Sequence, residues 1–410
     1  MHKEWQCSLF KKVIVLFWGN IMKLIFCYWG NLMENKFTDA FKRLGHEVII
    51  FEQEFVEKDY DTDYLKNLVS SVKSNENTDF VLSINFIPII SRACKFLNIP
   101  YLSWLCDCPC YSLYSNTFGD PNNHTFFFDK LHADKFKSIY PNTNIYYLPG
   151  ACDGVRFANV NVSDEDYEKY SCNVSFAGSL YSEKGTHQRI SETLSPYLMG
   201  YVDGIINAQL NVYGYNFIED SLDETFIEEF KKHMQWQVPP DYLDDARSVI
   251  ADYYFGYRCT MLDRIATLDA VSRNFNTDLY TTSDTSMLPY INNRGIADSN
   301  IMLPKIYKCS KVNLEIAGKT FKSGMTLRLF EIMGAGGFVI ANYQSEIPEY
   351  FTPDKDVVIY ESIPDLLNKI DYYLAHEDER MEIATNGQKK VLDYHTYDIR
   401  VKQMLDMAGL

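Results

Sequence analysis

The sequence lacks the features that mark a nucleic-acid-binding or membrane-spanning protein. Its 410 residues include 39 Lys and Arg against 55 Asp and Glu, a formal net charge of −16. Binding along nucleic acid needs a basic face that neutralises phosphates, so this balance excludes nucleic acid as the main partner. An apolar region near the N-terminus is interrupted by Gly19, Asn20 and Lys23. It falls short of the ~20 residues that span a bilayer, so we expect no transmembrane segment.

The cysteines offer neither a disulfide framework nor a usual metal motif. Most of the 10 stand alone in the chain. Cys106, Cys108 and Cys110 alternate as C-x-C-x-C, which differs from the C-x2-C spacing of zinc sites and has no nearby histidine. We therefore predict no metal site and reduced thiols, as is usual in the cytoplasm. No small-residue cleavage site follows the apolar start, which also favours a cytoplasmic protein over a secreted one.

Length and periodicity predict an α/β protein of two domains. From Met22, short apolar runs alternate with amphipathic helical patterns as far as Gly150, and the alternation resumes at Cys172. Such alternation is typical of doubly wound parallel sheets. We predict two Rossmann-like domains that face each other across a cleft, the second with a helical insertion. The predicted units are an N-terminal extension, either a loose arm or an artefact (1–21), a first domain (22–155), a second domain (172–395), its insertion (188–276) and a C-terminal helix (396–410).

Residues 323–343, SGMTLRLFEIMGAGGFVIANY, place a charged pair inside a nearly apolar helix. Arg328 and Glu331 are three residues apart and share one helix face. The surrounding apolar residues indicate that this helix is buried, and buried charges need a partner. That partner is either a ligand in a cleft or simply the other member of the pair. The glycines, Gly334 to Gly337, follow the helix, so we interpret them as its C-terminal cap and a turn.

The same helix has the dimensions of a nucleotide site. If it begins near Thr326, its first-turn amides and its dipole can hold a diphosphate. Glu331 then lies about 7 Å further along, given the 1.5 Å rise per residue. At that distance a carboxylate can accept two hydrogen bonds from ribose hydroxyls.

A second phosphate-binding motif remains as an alternative. Residues 313–320, NLEIAGKT, follow a predicted strand and end like a Walker A loop. That motif requires glycine where this chain has Asn313, and a helix that begins at its Lys-Thr pair, here Lys319 and Thr320. A P-loop NTPase is therefore the weaker hypothesis.

Three segments of the second half carry a family resemblance: SKVNLEI, GMTLRLFEIMGAGGFVIANYQSEIPEYF, and the stretch from DVVIYES to DYHTYDIR. They resemble the C-terminal domain of CgeB-like (spore maturation protein) glycosyltransferases, which are related to group 1 glycosyltransferases of the GT-B fold. The segment FVLSINFIPIISRACKFLNIPYLSWLCDCP is similar to the domain that often precedes it. The resemblance covers most of Met22 to Arg400.

This resemblance implies a glycosyltransferase without a permanently bound cofactor or a metal. A nucleoside-diphosphate sugar would be the donor, bound by the second domain. The first domain would bind the acceptor, a protein or a cell- or spore-surface glycan. The resemblance assigns Glu331 to the ribose contact and matches Arg328 to an arginine of the CgeB-like group.

One position departs from the pattern of group 1 enzymes. The retaining members have a second glutamate eight residues before the ribose glutamate, where this chain has Ser323. Retention and inversion are therefore both open. A catalytically degenerate module that only binds a glycan or nucleotide is a further alternative.

The predicted site combines strand-end loops of both domains. The predicted catalytic residues are Asp107, as the base of an inverting reaction, and Glu331. A turn or cap is the alternative role for Asp107. The predicted donor-binding residues are Gly178, Ser179, Gly324, Thr326, Arg328 and Glu331, and the resemblance adds Lys184, with Arg189 as the alternative for the same role. The predicted acceptor-binding residues are Gly30, Asn85 and Asp129. The alternative role for Asn85 is hydrogen bonding to the backbone, and the alternative role for Asp129 is helix capping.

Overall fold

The computed structural model describes residues 21–31, 33–183 and 187–410, with the side chains of 187 and 188 left out. These residues form two α/β domains, each built on a parallel sheet of six strands. Residues 1–20 of the predicted N-terminal extension lie outside the described residues, so that prediction stays untested.

The first sheet has the strand order β2-β1-β3-β4-β5-β6. Its strands read as short apolar runs because helices cover both faces of a parallel sheet. The strands are β1 Lys23–Tyr28, β2 Glu47–Glu52, β3 Phe80–Ile84, β4 Tyr101–Trp104, β5 Asn123–Phe127 and β6 Asn144–Tyr147. The helices are α1 Glu34–Arg43, α2 Thr62–Ser74, α3 Pro88–Leu97 and α4 Lys130–Ile139.

A linker with two short helices, α5 Gly154–Ala158 and α6 Asp164–Tyr170, leads to the second sheet. That sheet has the order β12-β11-β10-β7-β8-β9. Its strands are β7 Val174–Ala177, β8 Thr277–Tyr280, β9 Asn292–Gly295, β10 Val312–Glu315, β11 Val339–Asn342 and β12 Val358–Tyr360. Sequence patterning misses β9, because this edge strand is short, polar and mostly exposed.

The helical insertion lies between β7 and β8 and has its own apolar cluster. Its helices are α7 His187–Ser191, α8 Pro196–Leu210, α9 Ile218–Ser221, α10 Glu224–Met234, α11 Ala246–Val249 and, after a π-helical turn Ile250–Gly256, α12 Tyr257–Asn274. One insertion loop reaches the first domain. There the Tyr242 hydroxyl donates to the Asp59 carboxylate at 2.8 Å, and Leu243 N–H donates to Tyr114 O.

The remaining helices complete the second domain and return to the first. They are α13 Met302–Cys309, α14 Leu327–Gly334, α15 Ile347–Tyr350, α16 Ile363–Ala375, α17 Glu377–Tyr394 and α18 Tyr397–Ala408. The Tyr397 ring of α18 packs against Phe37 and Trp104 of the first domain. Among the helices of the described residues, none is both long and apolar enough to cross a membrane.

Candidate active site between the domains

Helix α14 begins and ends where the sequence predicts. Thr326 is its N-cap, and the Thr326 hydroxyl oxygen accepts a hydrogen bond from Leu329 N–H at 3.2 Å. The helix ends at Gly334, and Gly336 follows with a φ of +82°. A side chain at Gly337 would come within 2.6 Å of Tyr307 O, so this turn requires glycine. The interpretation of the glycines as a helix end, rather than a phosphate loop, is confirmed.

Glu331 lies on α14 at the contact between the domains. Its side chain is only 11% exposed, and Oε1 accepts a hydrogen bond from Lys36 Nζ of α1 at 2.8 Å. The second oxygen, Oε2, accepts no hydrogen bond from the described residues. The carboxylate is thus neither in bulk solvent nor fully engaged, and it keeps acceptor capacity at the domain boundary.

Arg328 does not pair directly with Glu331. Among the described residues, its guanidinium hydrogen-bonds only to the Tyr307 hydroxyl, through Nη1 at 3.1 Å. Burial lowers the pKa of Arg328, but Tyr307 and the carboxylates of Glu315 and Glu331 outweigh burial and leave the pKa raised. The arginine is therefore a fixed cation with unused donors near the start of α14.

Two further charged residues, which sequence analysis missed, interact electrostatically with Arg328. Glu315 ends β10 and is 4% exposed, and its Oε2 has no hydrogen-bond partner among the described residues. Burial raises the pKa of Glu315, against the opposing charges of Arg328 and Arg264. Arg264 donates to Ser179 O at 2.6 Å and to Ile316 O at 2.7 Å. It thereby joins the loops that follow β7 and β10.

The predicted glycine loop of the second domain follows β7. Gly178 N–H donates to Tyr280 O at 3.0 Å, and Ser179 Oγ donates to Glu183 Oε1 at 2.5 Å. Lys184, predicted to bind the donor, lies outside the described residues. Arg189, the alternative, is exposed on α7. The loop therefore adjoins β10 through Arg264, while the roles of both basic residues stay predictions.

Asp129 joins the two domains through main-chain hydrogen bonds. It is 1% exposed and caps α4. Oδ2 accepts hydrogen bonds from the N–H groups of Lys322, Ser323 and Gly324 at 2.7–2.9 Å, and Oδ1 accepts from His132 N–H and Ser323 Oγ. The acceptor role predicted for Asp129 finds no support in this geometry, because both oxygens are already occupied.

Gly324 and Ser323 belong to the same junction. A Cβ at Gly324 would lie 2.9 Å from Asp129 Cα, and its N–H is already used. Gly324 therefore packs closely between the domains, and the donor contact predicted for it stays a prediction. Ser323 Oγ also contacts Glu346 Oε1 at 2.6 Å. Ser323 stands where the retaining group 1 enzymes have a second glutamate, and its hydroxyl contacts Asp129 and Glu346.

Asp107 is exposed at the end of β4 and is held by Asn85. Asn85 Nδ2 donates to Asp107 Oδ2 at 2.6 Å, and Asn85 Oδ1 accepts from the N–H groups of Cys106 and Asp107 at 2.9 and 3.2 Å. Asn85 therefore positions Asp107. This engages both the amide nitrogen and the amide oxygen of Asn85, the groups with which Asn85 would otherwise contact an acceptor. Gly30 has a φ of +95°, and nothing lies within 4 Å of the position that a Cβ would take there, so its acceptor role stays a prediction.

The Walker-like segment does not have P-loop geometry. Lys319 is 6% exposed, with Nζ 3.7 Å from the Tyr213 ring centroid and 3.7 Å from Asp263 Oδ2. The next helix starts only at Leu327. A phosphate would have neither the lysine nor the helix N-terminus that the P-loop mechanism needs.

An open cleft of about 830 Å³ is lined in part by Lys36, the partner of Glu331. It falls within the size range of small-molecule sites. Its lining residues include Gly30, Glu34, Lys36, Asp39, Asp153 and Arg156. The cleft therefore runs from α1 and the end of β1 to the linker helix α5.

Comparison with known proteins gives a family model that part of the second domain is similar to, and solved structures that share the fold of the whole chain. Residues 267–406, which include α14, match the family model described as glycosyl transferase-like. Among curated proteins, none gives a significant match.

Three solved structures align with 95% of this chain. A glycosyltransferase from Rickettsia africae is 12% identical with a TM-score of 0.56 over 99% of its length. Sucrose-phosphate synthase from Thermosynechococcus elongatus is 9% identical with a TM-score of 0.57 over 98%. HepE from Anabaena, in complex with UDP-glucose, is 11% identical with a TM-score of 0.51 over 99%.

This chain has the GT-B fold. The predicted fold class is confirmed by these likenesses and by the two parallel six-stranded sheets. Identities near 10% establish the fold alone, so the activity has to be argued from the side chains at the domain boundary.

Proposed function

We propose that the protein is a glycosyltransferase of the CgeB-like group, which moves a sugar from a nucleoside-diphosphate sugar to a protein or a cell- or spore-surface glycan. One observation carries the proposal. Glu331 is a mostly buried carboxylate at the domain boundary, and its Oε2 is not engaged by the described residues. A buried acceptor of this kind suits a pentose, whose two hydroxyls can each donate a hydrogen bond.

The start of α14 suits the diphosphate. Its first N–H groups have no partner within the helix, and the helix dipole favours negative charge there. Arg328 adds a cation with unused donors, and Arg264 lies beneath the adjoining loops. We propose that these groups stabilise the leaving diphosphate without a metal ion. A uridine donor is our first choice, because HepE is seen with UDP-glucose.

Asp107 is the proposed base on the acceptor side. It is exposed at the carboxyl end of the first sheet, where ligands of such sheets bind. The Asn85 amide fixes its carboxylate, as catalysis requires of a base that must reach an acceptor hydroxyl. We place the reaction in the cytoplasm, where nucleotide sugars would reach the cleft.

Release of nucleoside diphosphate from a panel of UDP-, GDP-, CDP- and dTDP-sugars tests the proposal. The wild-type protein should release product from one class and gain thermal stability with it, because a ligand that binds the folded state raises the apparent stability. Glu331→Gln should lower the rate at least tenfold, and Glu382→Gln, an exposed control on α17, should leave it unchanged. Binding without turnover would favour the degenerate module, and full activity of Glu331→Gln would remove the ribose role.

A further inference from the structure

The Lys36–Glu331 pair joins the domains at the place where the proposed donor binds. Lys36 lies in the first turn of α1, and its side chain is 6% exposed. Apart from Glu331 Oε1, the described residues offer its Nζ only the Met33 sulfur at 4.0 Å. A lysine this deeply buried needs a negative partner, and here Glu331 is that partner.

A pentose on Glu331 would compete with this lysine. Two adjacent hydroxyls engage both oxygens of a carboxylate, so one hydroxyl has to share Oε1 with the Lys36 ammonium group. Donor binding therefore weakens the hold of Glu331 on this ammonium group. Lys36 lines the open cleft, so its flexible side chain has space in which to move.

The acidic side chains around Lys36 are poor substitutes for Glu331. The Glu34 carboxylate accepts from the N–H groups of Trp29 at 2.8 Å and Gly30 at 3.3 Å. Asp153 caps α5 and lies 3.7 Å from Arg156. Asp39 is exposed on α1, and an ion pair three residues apart in water is weak. A diphosphate entering the cleft would be a stronger partner for the displaced cation.

We propose that Lys36 is a donor-binding residue supplied by the first domain, which exchanges Glu331 for the diphosphate when the nucleotide sugar binds. This inference rests on the proposed function. Lys36 would then respond to two parts of the ligand. The pentose draws Glu331 away from its ammonium group, and the diphosphate gives that group a new partner. A nucleoside alone would have to expel Lys36 without giving it a new partner.

Binding of uridine and UDP to the same variants tests the exchange. Lys36→Met frees Glu331, so uridine should bind more tightly, while UDP loses a charge-assisted contact. The preference for UDP over uridine should fall about tenfold or more, the change expected from one such contact. Lys36→Arg should keep most of the preference. Lys42→Met, an exposed control on α1 with the same change of charge, should keep all of it.

Calorimetric titrations would give both affinities, with GDP and guanosine as a second pair. Equal changes in nucleoside and diphosphate affinity would overturn the inference and leave Lys36 as a structural partner of Glu331. If the wild-type protein binds none of these nucleotides, the proposed function fails as well. The two failures are therefore distinguishable.

A second measurement uses only the wild-type protein, so its result does not depend on whether the variants fold. Reductive methylation followed by mass spectrometry reports how accessible each lysine is. Lys36 should become more reactive with uridine bound and stay protected with UDP bound, while the exposed Lys42 should react equally in both. Equal protection of Lys36 by the two ligands would also overturn the exchange.

Discussion

Two acidic side chains join the domains in different ways. Asp129 of the first domain binds the main chain of residues 322–324, and Glu331 of the second domain binds the side chain of Lys36. Main-chain N–H groups are fixed in place, so the Asp129 contacts form a permanent joint. A lysine ammonium is mobile and lies here beside an open cleft. The two carboxylates are similarly buried, and they differ in whether their partner is fixed main chain or a flexible side chain.

Removing the Asp129 carboxylate should have the largest effect on stability. Asp129→Ala leaves at least three buried N–H groups without an acceptor, and we expect a loss of about 3–5 kcal/mol in the free energy of unfolding. Urea denaturation measures this, with Asp134→Ala, exposed on the same helix, as the neutral control. A loss below about 1 kcal/mol would show that the joint is not permanent.

Crowding the same joint should have the next largest effect. In Gly324→Ala the new methyl group would lie 2.9 Å from Asp129 Cα, so the two domains must shift apart. We expect a loss of about 1–3 kcal/mol, typical of overpacking. Gly204→Ala is the matched control, because nothing lies within 4 Å of its new methyl group. That change in the interior of α8 should be neutral or stabilising by up to about 1 kcal/mol.

The Glu331 contact should tolerate change better than the Asp129 joint. Glu331→Gln keeps an acceptor for the buried Lys36 ammonium group but removes its negative partner. We therefore expect a loss of about 1–2 kcal/mol in unfolding free energy, less than for Asp129→Ala. Urea denaturation beside Asp129→Ala tests the comparison directly. Equal losses for the two variants would remove the distinction between a permanent and an exchangeable contact.

The smallest expected effect is a pH dependence at Glu346, beside the Asp129 joint. Burial raises the pKa of Glu346, and its hydrogen bonds from Ser323 and Tyr147 oppose that rise only in part. The folded protein therefore holds this proton more tightly than the unfolded chain. The resulting stability is fully present below the ordinary glutamate pKa of about 4.3, and it is lost as the pH rises through the folded pKa.

Glu346→Gln mimics the protonated side chain, so it should remove this dependence. Relative to the wild type, the variant should gain stability as the pH rises from about 4 through the folded pKa, as followed by urea denaturation at each pH. Glu349→Gln, the exposed neighbour on α15, should show no such trend. A flat difference between Glu346→Gln and the wild type would contradict the assignment.

Sequence patterning predicted most strands and both ends of α14, because apolar periodicity, the Thr326 cap and the glycines are local signals. It missed β9, whose residues NNRG carry no alternation. It could not separate Asp129 from Glu331 either. Both are acidic residues at positions where ligands of α/β proteins bind, and their partners are far away in the chain.

The sequence by itself determined that this chain forms two parallel sheets and that Arg328 and Glu331 share one buried helix. Periodicity and helix geometry act over a few residues, so they can be read from the sequence. Only the tertiary structure decided that Lys36 is the partner of Glu331, 295 positions away, and that Asp129 holds the loop at 322–324. Contacts between domains depend on how the sheets face each other, which no local pattern encodes.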